Sequence, residues 1–219
     1  DDKAVSESRL TEPTGHVVSL PREISRLLDE AGWSMGEVEL VTVTLGPGSF
    51  TGLRIALGMA KGLALGQGVP VVGISTLDAV AAGSEAKEAG SWIASILDAR
   101  RKELFYSLYR RSVDGFPELV RPPFIAEPAT LAWELADDPD LVPDSIYFNG
   151  SGLGPYGELF QASLADRFIP APESAWNPDP IRVGQLGLQQ FRQRGGDDTE
   201  RLHPLYLRRP DAVAKKRGL

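Results

Sequence analysis

At 219 residues, 42% apolar and 24% charged, the chain is long enough for one large domain or two small lobes, each with its own core. With no cysteine it forms no disulfide and no thiolate metal site, which suits a reducing cytosol, and its formal net charge of −7 argues against gripping nucleic acid through a basic face. No run approaches the roughly 18 consecutive apolar residues of a membrane span, and the charged start Asp1-Asp2-Lys3, with no apolar run behind it, predicts no signal peptide.

Ala4 to Leu10 reads as a short strand and Thr11 to Gly15 as a loop. Ser19 is placed to cap a helix with Pro21 in its first turn. Leu20, Ile24, Leu27, Leu28 and Ala31 follow at helical spacing, and Gly32 ends the run. Val38 to Leu45 reads as a buried strand broken by Gly46-Pro47-Gly48. A helix from about Thr51 to Leu65 and a strand from Val69 to Ile74 complete an alternation that argues for an α/β lobe with parallel pairing. Ser75 or Thr76 caps a short helix from Leu77. The polar stretch Ser84 to Gly90 is the expected boundary, giving a first lobe over 1–90 and a second over 91–219.

Trp92 to Leu97 is an apolar strand. Asp98 to Lys102 turns the chain, and Glu103 to Arg110 returns with Leu104, Tyr106 and Leu108 on one face and Phe105, Ser107 and Tyr109 on the other. Helices are expected over Pro128–Ala136, Tyr156–Leu164 and Ile181–Arg194, the last packing back on the first lobe, and a strand over Ser145–Phe148. Residues 1–97 hold 7 basic and 12 acidic side chains, so the first half is the more acidic. Basic residues are expected to cluster only in the tail, at Arg208, Arg209, Lys215, Lys216 and Arg217, which reads as a solvated terminus.

The loudest signal is Gly46-Pro47-Gly48-Ser49-Phe50-Thr51-Gly52-Leu53-Arg54, between a strand and a helix. Its glycines permit positive φ, and a helix N-terminus behind such a loop can hold an anion. A P-loop is excluded because no lysine follows Gly52, a dinucleotide fingerprint because the next strand ends Ile74-Ser75-Thr76 without a carboxylate, and a nucleophile elbow because Pro47 and Thr51 stand where its glycines belong. A phosphate contact and a plain tight turn both stay open. In the helix behind, Gly58, Gly62 and Gly66 recur at every fourth residue beside Ala56, Ala60 and Ala64. Each interior glycine costs a helix about 1 kcal/mol against alanine. A stripe in register therefore asks for close backbone approach, by the chain's own lobe or by a partner's helix.

Catalytic groups are scarce. His16 and His203 are the two histidines, and Leu20 stands four residues beyond His16, so a His-x-x-x-His metal pair is impossible. Asp29, Glu30, Asp78 and Asp98 are scattered, and Asp137, Asp138 and Asp140 read as a solvated turn. Asp98 ends an apolar strand, a position acids favour in active sites, but the simpler role is to hold the turn with Arg100. Asn149-Gly150-Ser151-Gly152 reads as a turn.

Taken together, Leu45 to Ile55, Ala60-Lys61-Gly62-Leu63-Ala64, Pro70 to Ala79 and Asp98-Ala99-Arg100-Arg101-Lys102-Glu103 resemble the TsaB (YeaZ) family, and Pro204 to Arg208 is similar though less specific. The resemblance covers about residues 15 to 110 well and the rest loosely. It implies the α/β actin-like/Hsp70/sugar-kinase (ribonuclease H-like) fold in a compact two-lobed form. Family members open with a further strand ending near Asp-Thr-Ser, so the resemblance implies an N-terminally incomplete copy.

The resemblance further implies a cytoplasmic, non-catalytic scaffold in tRNA threonylcarbamoyladenosine synthesis. Such a scaffold pairs with a catalytic TsaD homologue, is joined by the TsaE ATPase, forms a homodimer when alone, meets tRNA only indirectly and avoids membranes. The first two helices build the family's interface. Carried onto this chain, that face is Leu20, Ile24, Leu27, Leu28, Thr51, Ile55, Gly58, Met59, Gly62, Leu63 and Gly66. No metal or catalytic residue is assigned, and no cofactor to the chain itself; ATP or ADP stays open at the partner interface. The rival expectation is a nucleotide-dependent phosphotransferase or peptidase of the same fold.

Overall fold

A computed structural model describes residues 6–9, 16–141 and 144–208. Their order is α1 (His16–Ala31), β1 (Val41–Gly46), α2 (Phe50–Gln67), β2 (Val71–Ser75), α3 (Thr76–Ala82), β3 (Trp92–Asp98), β4 (Leu104–Arg111), β5 (Pro117–Ala126), α4 (Pro128–Asp137), β6 (Ile146–Asn149), α5 (Leu153–Leu164), β7 (Phe168–Pro170) and α6 (Pro180–Arg194). They divide into two units, Asp1–Ser75 with Pro180–Pro204, and Thr76–Asp179 with Leu205–Leu219. The division falls after Ser75 rather than in the polar stretch at 84–90. The reason is the apolar face of α3, whose Leu77, Val80 and Ala81 pack on Ile93, Leu97 and Tyr109 of the second unit.

In the first unit β1 and β2 pair in parallel, Val41 beside Val71 and Thr44 beside Ile74. A parallel pair needs a crossover, which α2 supplies. It sets Leu57, Ala60 and Ala64 into a core with Val43, Val71 and Leu202. α1 packs on α2, and α6 packs on both strands. Gly187 of α6 lies over Thr42, so close that an added Cβ would stand 2.1 Å from Thr42 Cγ2. α1 begins at His16 and carries Pro21 inside rather than in its first turn. One lost N–H bond is tolerated there because the apolar spacing continues through Leu28. Residues 6–9 form no strand. Their polar side chains bond elsewhere, Ser6 Oγ to Glu30 Oε2 at 3.1 Å and Arg9 to Glu7 at 3.2 Å, and residues 4, 5 and 10 of the expected strand lie outside the described residues.

Asp197 closes the edge of β2. Its N–H donates to the Val71 carbonyl at 2.8 Å, and its Oδ2 accepts from the Gly73 N–H at 2.8 Å. Burial pushes its carboxyl up, but the Arg194 guanidinium and the Gly73 N–H outweigh this and hold it below the usual carboxylate range. A depressed folded-state pKa contributes stability that is present at neutral pH and lost as pH falls through the folded value. Asp197→Ala leaves the Gly73 N–H without its acceptor and is expected to cost about 1–3 kcal/mol in denaturant unfolding at pH 7. Asp197→Asn keeps an acceptor and should flatten the loss of stability below about pH 4. An unchanged acid profile in Asp197→Asn would show that the carboxylate carries no such linkage.

In the second unit the strand order is β5-β4-β3-β6-β7, antiparallel across β3–β4–β5 and parallel across β3–β6–β7. Successive β3 side chains go to opposite faces. Trp92, Ala94 and Ile96 join Leu104, Tyr106, Leu108, Phe148, Phe160 and Leu135 under α4 and α5. Ile93 and Leu97 join Tyr109 under α3. Both faces of β3 are therefore covered, which is why it reads as a continuous apolar run. Asp138 is not solvated: it pairs with Arg121, and its side chain is only 11% exposed. Of the basic tail, Arg208 is described, and residues 209–219 lie outside the described residues.

Candidate functional site

The loop at 46–54 is built as a helix cap. Gly46 has φ +109, which glycine adopts without strain. Ser49 is the N-cap of α2, its Oγ accepting the Gly52 N–H at 3.3 Å and its carbonyl accepting the Leu53 N–H at 2.9 Å. The Gly52 donor that an anion would need is thus taken by the protein. Gly48, Ser49, Phe50 and Thr51 are exposed, and the Arg54 guanidinium lies 3.9 Å over the Phe50 ring.

α2 has two unlike faces. Leu53, Leu57, Ala60 and Ala64 are buried in the unit's own core. On the opposite face, Thr51, Gly58, Gly62, Leu65 and Gly66 are exposed, with Leu65 at 72%. An added Cβ at Gly58, Gly62 or Gly66 would meet no atom within 4 Å. Ile55, Met59 and Leu63 are half-buried, as are Leu20, Ile24, Leu27 and Leu28 of α1. The glycine stripe is therefore open, and packing among the described residues does not explain it. Ala60, which the sequence places beside the stripe, faces inward instead.

Among the described residues, the acids and the 149–152 loop that the sequence singles out are engaged within the chain. Asp98 is held in its turn, Oδ1 accepting the Arg100 N–H at 2.8 Å and Oδ2 facing Arg100 Nη1 at 3.1 Å. Asp78 is pushed above the usual carboxylate range by burial, against the hydrogen bond that the Tyr109 hydroxyl donates to it at 2.7 Å. At 149–152 the chain is packed against itself: Asn149 Nδ2 donates to the Val80 carbonyl at 3.0 Å, and the Gly152 N–H to the Ile96 carbonyl at 3.0 Å. Among the described residues no three His, Asp or Glu side chains gather as a metal site requires. No helix of the described residues is long and apolar enough to cross a membrane.

A family model described as "TsaD: tRNA N6-adenosine threonylcarbamoyltransferase" matches residues 12–212. The TsaB protein of Haemophilus influenzae is 30% identical over 188 residues, covering 84% of this chain and 76% of that one. The chain belongs to the TsaB (YeaZ) family. The TsaB protein of Escherichia coli is 35% identical over 103 residues, a match that spans 47% of this chain and 45% of that protein. The solved structure of YeaZ from Pseudomonas aeruginosa superposes with a TM-score of 0.72 at 27% identity, over 90% of this chain and 87% of that one. TsaB relatives are named for tRNA threonylcarbamoyladenosine biosynthesis, and the fold is the α/β fold of the YeaZ structure. The sequence had no signal for which side of α2 faces open space.

Proposed function

We propose that this chain is the non-catalytic scaffold of threonylcarbamoyl transfer to adenosine 37 of tRNA, working in the cytoplasm by pairing with a catalytic TsaD homologue. The observation that carries this reading is the open strip Thr51, Gly58, Gly62, Leu65 and Gly66 on α2, flanked by the exposed Arg54. An exposed Leu65 among bare glycines is a surface that a partner can cover. Glycines on the outer face let a second helix approach to backbone contact. Half-buried Leu20, Ile24, Leu27 and Leu28 of α1 would extend the same interface. The transfer chemistry, the TsaE ATPase and any ATP or ADP belong to the partner side of that contact. Asp98, the acid a phosphotransferase or peptidase would rely on, is spent on its own turn.

Run through a sizing column with a TsaD homologue, the chain is expected to co-elute, and transfer to a tRNA transcript should require both. Separate elution under every nucleotide condition, or full transfer without this chain, ends the reading.

A further inference from the structure

Among the described residues seven glycines take a positive φ, and only four other residues do: Arg100 at +61, Arg101 at +55, Lys102 at +62, and Ala165 at +51. Three of these four are consecutive, all are basic, and all three are exposed. They form the β3–β4 turn. The Glu103 N–H donates to the Arg100 carbonyl at 3.0 Å, so Arg101 and Lys102 are the central residues of a hairpin turn with both φ values positive. Such a turn strongly prefers Asn-Gly, because left-handed backbone strains a residue that carries a long side chain. Among the described residues every other positive-φ position but Ala165 is glycine, and the chain keeps arginine and lysine here. Strain of this kind persists where the side chain is needed.

The neighbourhood fits the same use. β3 and β6 run parallel, so this turn and the 149–152 loop lie at the carboxyl ends of their strands, where open α/β sheets bind ligands. The Ser151 hydroxyl accepts the Asp98 N–H at 3.2 Å and ties the two loops together. Arg208 adds a fourth cation, its Nη1 donating to the Ala99 carbonyl at 2.7 Å and its Nη2 pairing with Glu103. Asp98 and Glu103 are the acids of the turn. Arg100 faces Asp98 with 87% of its side chain exposed, a solvent-screened pair that an incoming phosphate can share.

We propose that the Arg100-Arg101-Lys102 turn is a direct contact for RNA phosphates, so that this chain touches tRNA itself. The proposal goes beyond the scaffold reading, in which tRNA is met only through the partner, and rests on it for the identity of the polyanion. Two guanidiniums and an ammonium in a row suit phosphate, which arginine grips with paired donors.

The test uses the full chain and an unmodified tRNA transcript. Arg101→Asn with Lys102→Gly installs the pair the turn prefers, so the thermal midpoint should stay or rise while affinity at low salt falls about tenfold. The slope of log affinity against log salt should become shallower by about 1.4–1.8, the loss of two phosphate contacts. Arg101→Lys with Lys102→Arg keeps both charges and should bind as the parent does. Wild-type affinity and slope in the Asn-Gly variant, or an equal loss in the charge-keeping variant, overturns the proposal. Poly-glutamate binding as tightly as tRNA at equal charge would assign the turn to an acidic peptide and overturn it too. The Asn-Gly variant should still co-elute with the TsaD homologue. If the parent chain does not co-elute, the scaffold reading falls while the tRNA titration still decides this one.

Discussion

Gly150→Ala is expected to be the most damaging single-methyl change in the second unit. Gly150 is buried with φ +118, and a Cβ there would stand 2.2 Å from the Ile96 carbonyl oxygen and 3.0 Å from its carbon. Neither neighbour can yield, because both are backbone of the central strand β3. Left-handed strain costs about 1–3 kcal/mol and overpacking about 1–3 kcal/mol, so a loss of about 2–6 kcal/mol follows. Set against the 5–15 kcal/mol typical of a domain, this is enough to leave a large unfolded fraction at 37 °C. Gly157→Ala is the control. It lies in α5, where an added Cβ meets nothing within 4 Å, and it should gain up to about 1 kcal/mol. Denaturant titration of the two variants checks this, and equal midpoints would show that the loop at 149–152 relaxes freely.

Gly62→Leu is expected to separate pairing from folding. The side chain enters open space, so the isolated chain should keep its fold and gain about 0.8 kcal/mol of helix propensity. Across a close helix–helix contact the same four carbons have nowhere to go. Overpacking of about 1–3 kcal/mol weakens the complex with a TsaD homologue roughly 5- to 150-fold. Isothermal titration reads the affinity, and thermal unfolding reads the fold. Unchanged affinity with an unchanged fold would remove the stripe from the interface. Ala60→Leu is unsuitable for this purpose, since Ala60 is 5% exposed within the unit's own core and the substitution strikes folding first.

Most of the fold was legible because its periodicities are plain. β3 is a continuous apolar run and β4 alternates at period two, α2 is bracketed by Ser49 and by Gly68 at φ +68, and α5 and α6 carry apolar repeats. β5 was missed because Pro122 and Pro123 interrupt it and its pairing with β4 is irregular. Prolines of this kind are what an edge strand tolerates, and that was the available signal. β7 is three residues long, too short for any pattern. The unit boundary was misplaced because polarity marks exposure, whereas the boundary is set by which sheet α3 covers. The left-handed turn at 100–102 could not be read from Arg-Arg-Lys, since nothing in those residue types asks for positive φ.

The first unit is assembled from two stretches, 1–75 and 180–204, with about a hundred residues of another unit between them. α6 and the Asp197 clasp on β2 leave the ribosome only after every strand of the second unit has emerged. Residues 76–179 are continuous and can collapse during synthesis. Until Asp197 arrives, the Gly73 N–H and the Val71 carbonyl stand unpaired on a nascent sheet edge, the kind of edge that invites mispairing. The interval between translating β2 and translating Asp197 is therefore the chain's period of greatest exposure to aggregation and to chaperones.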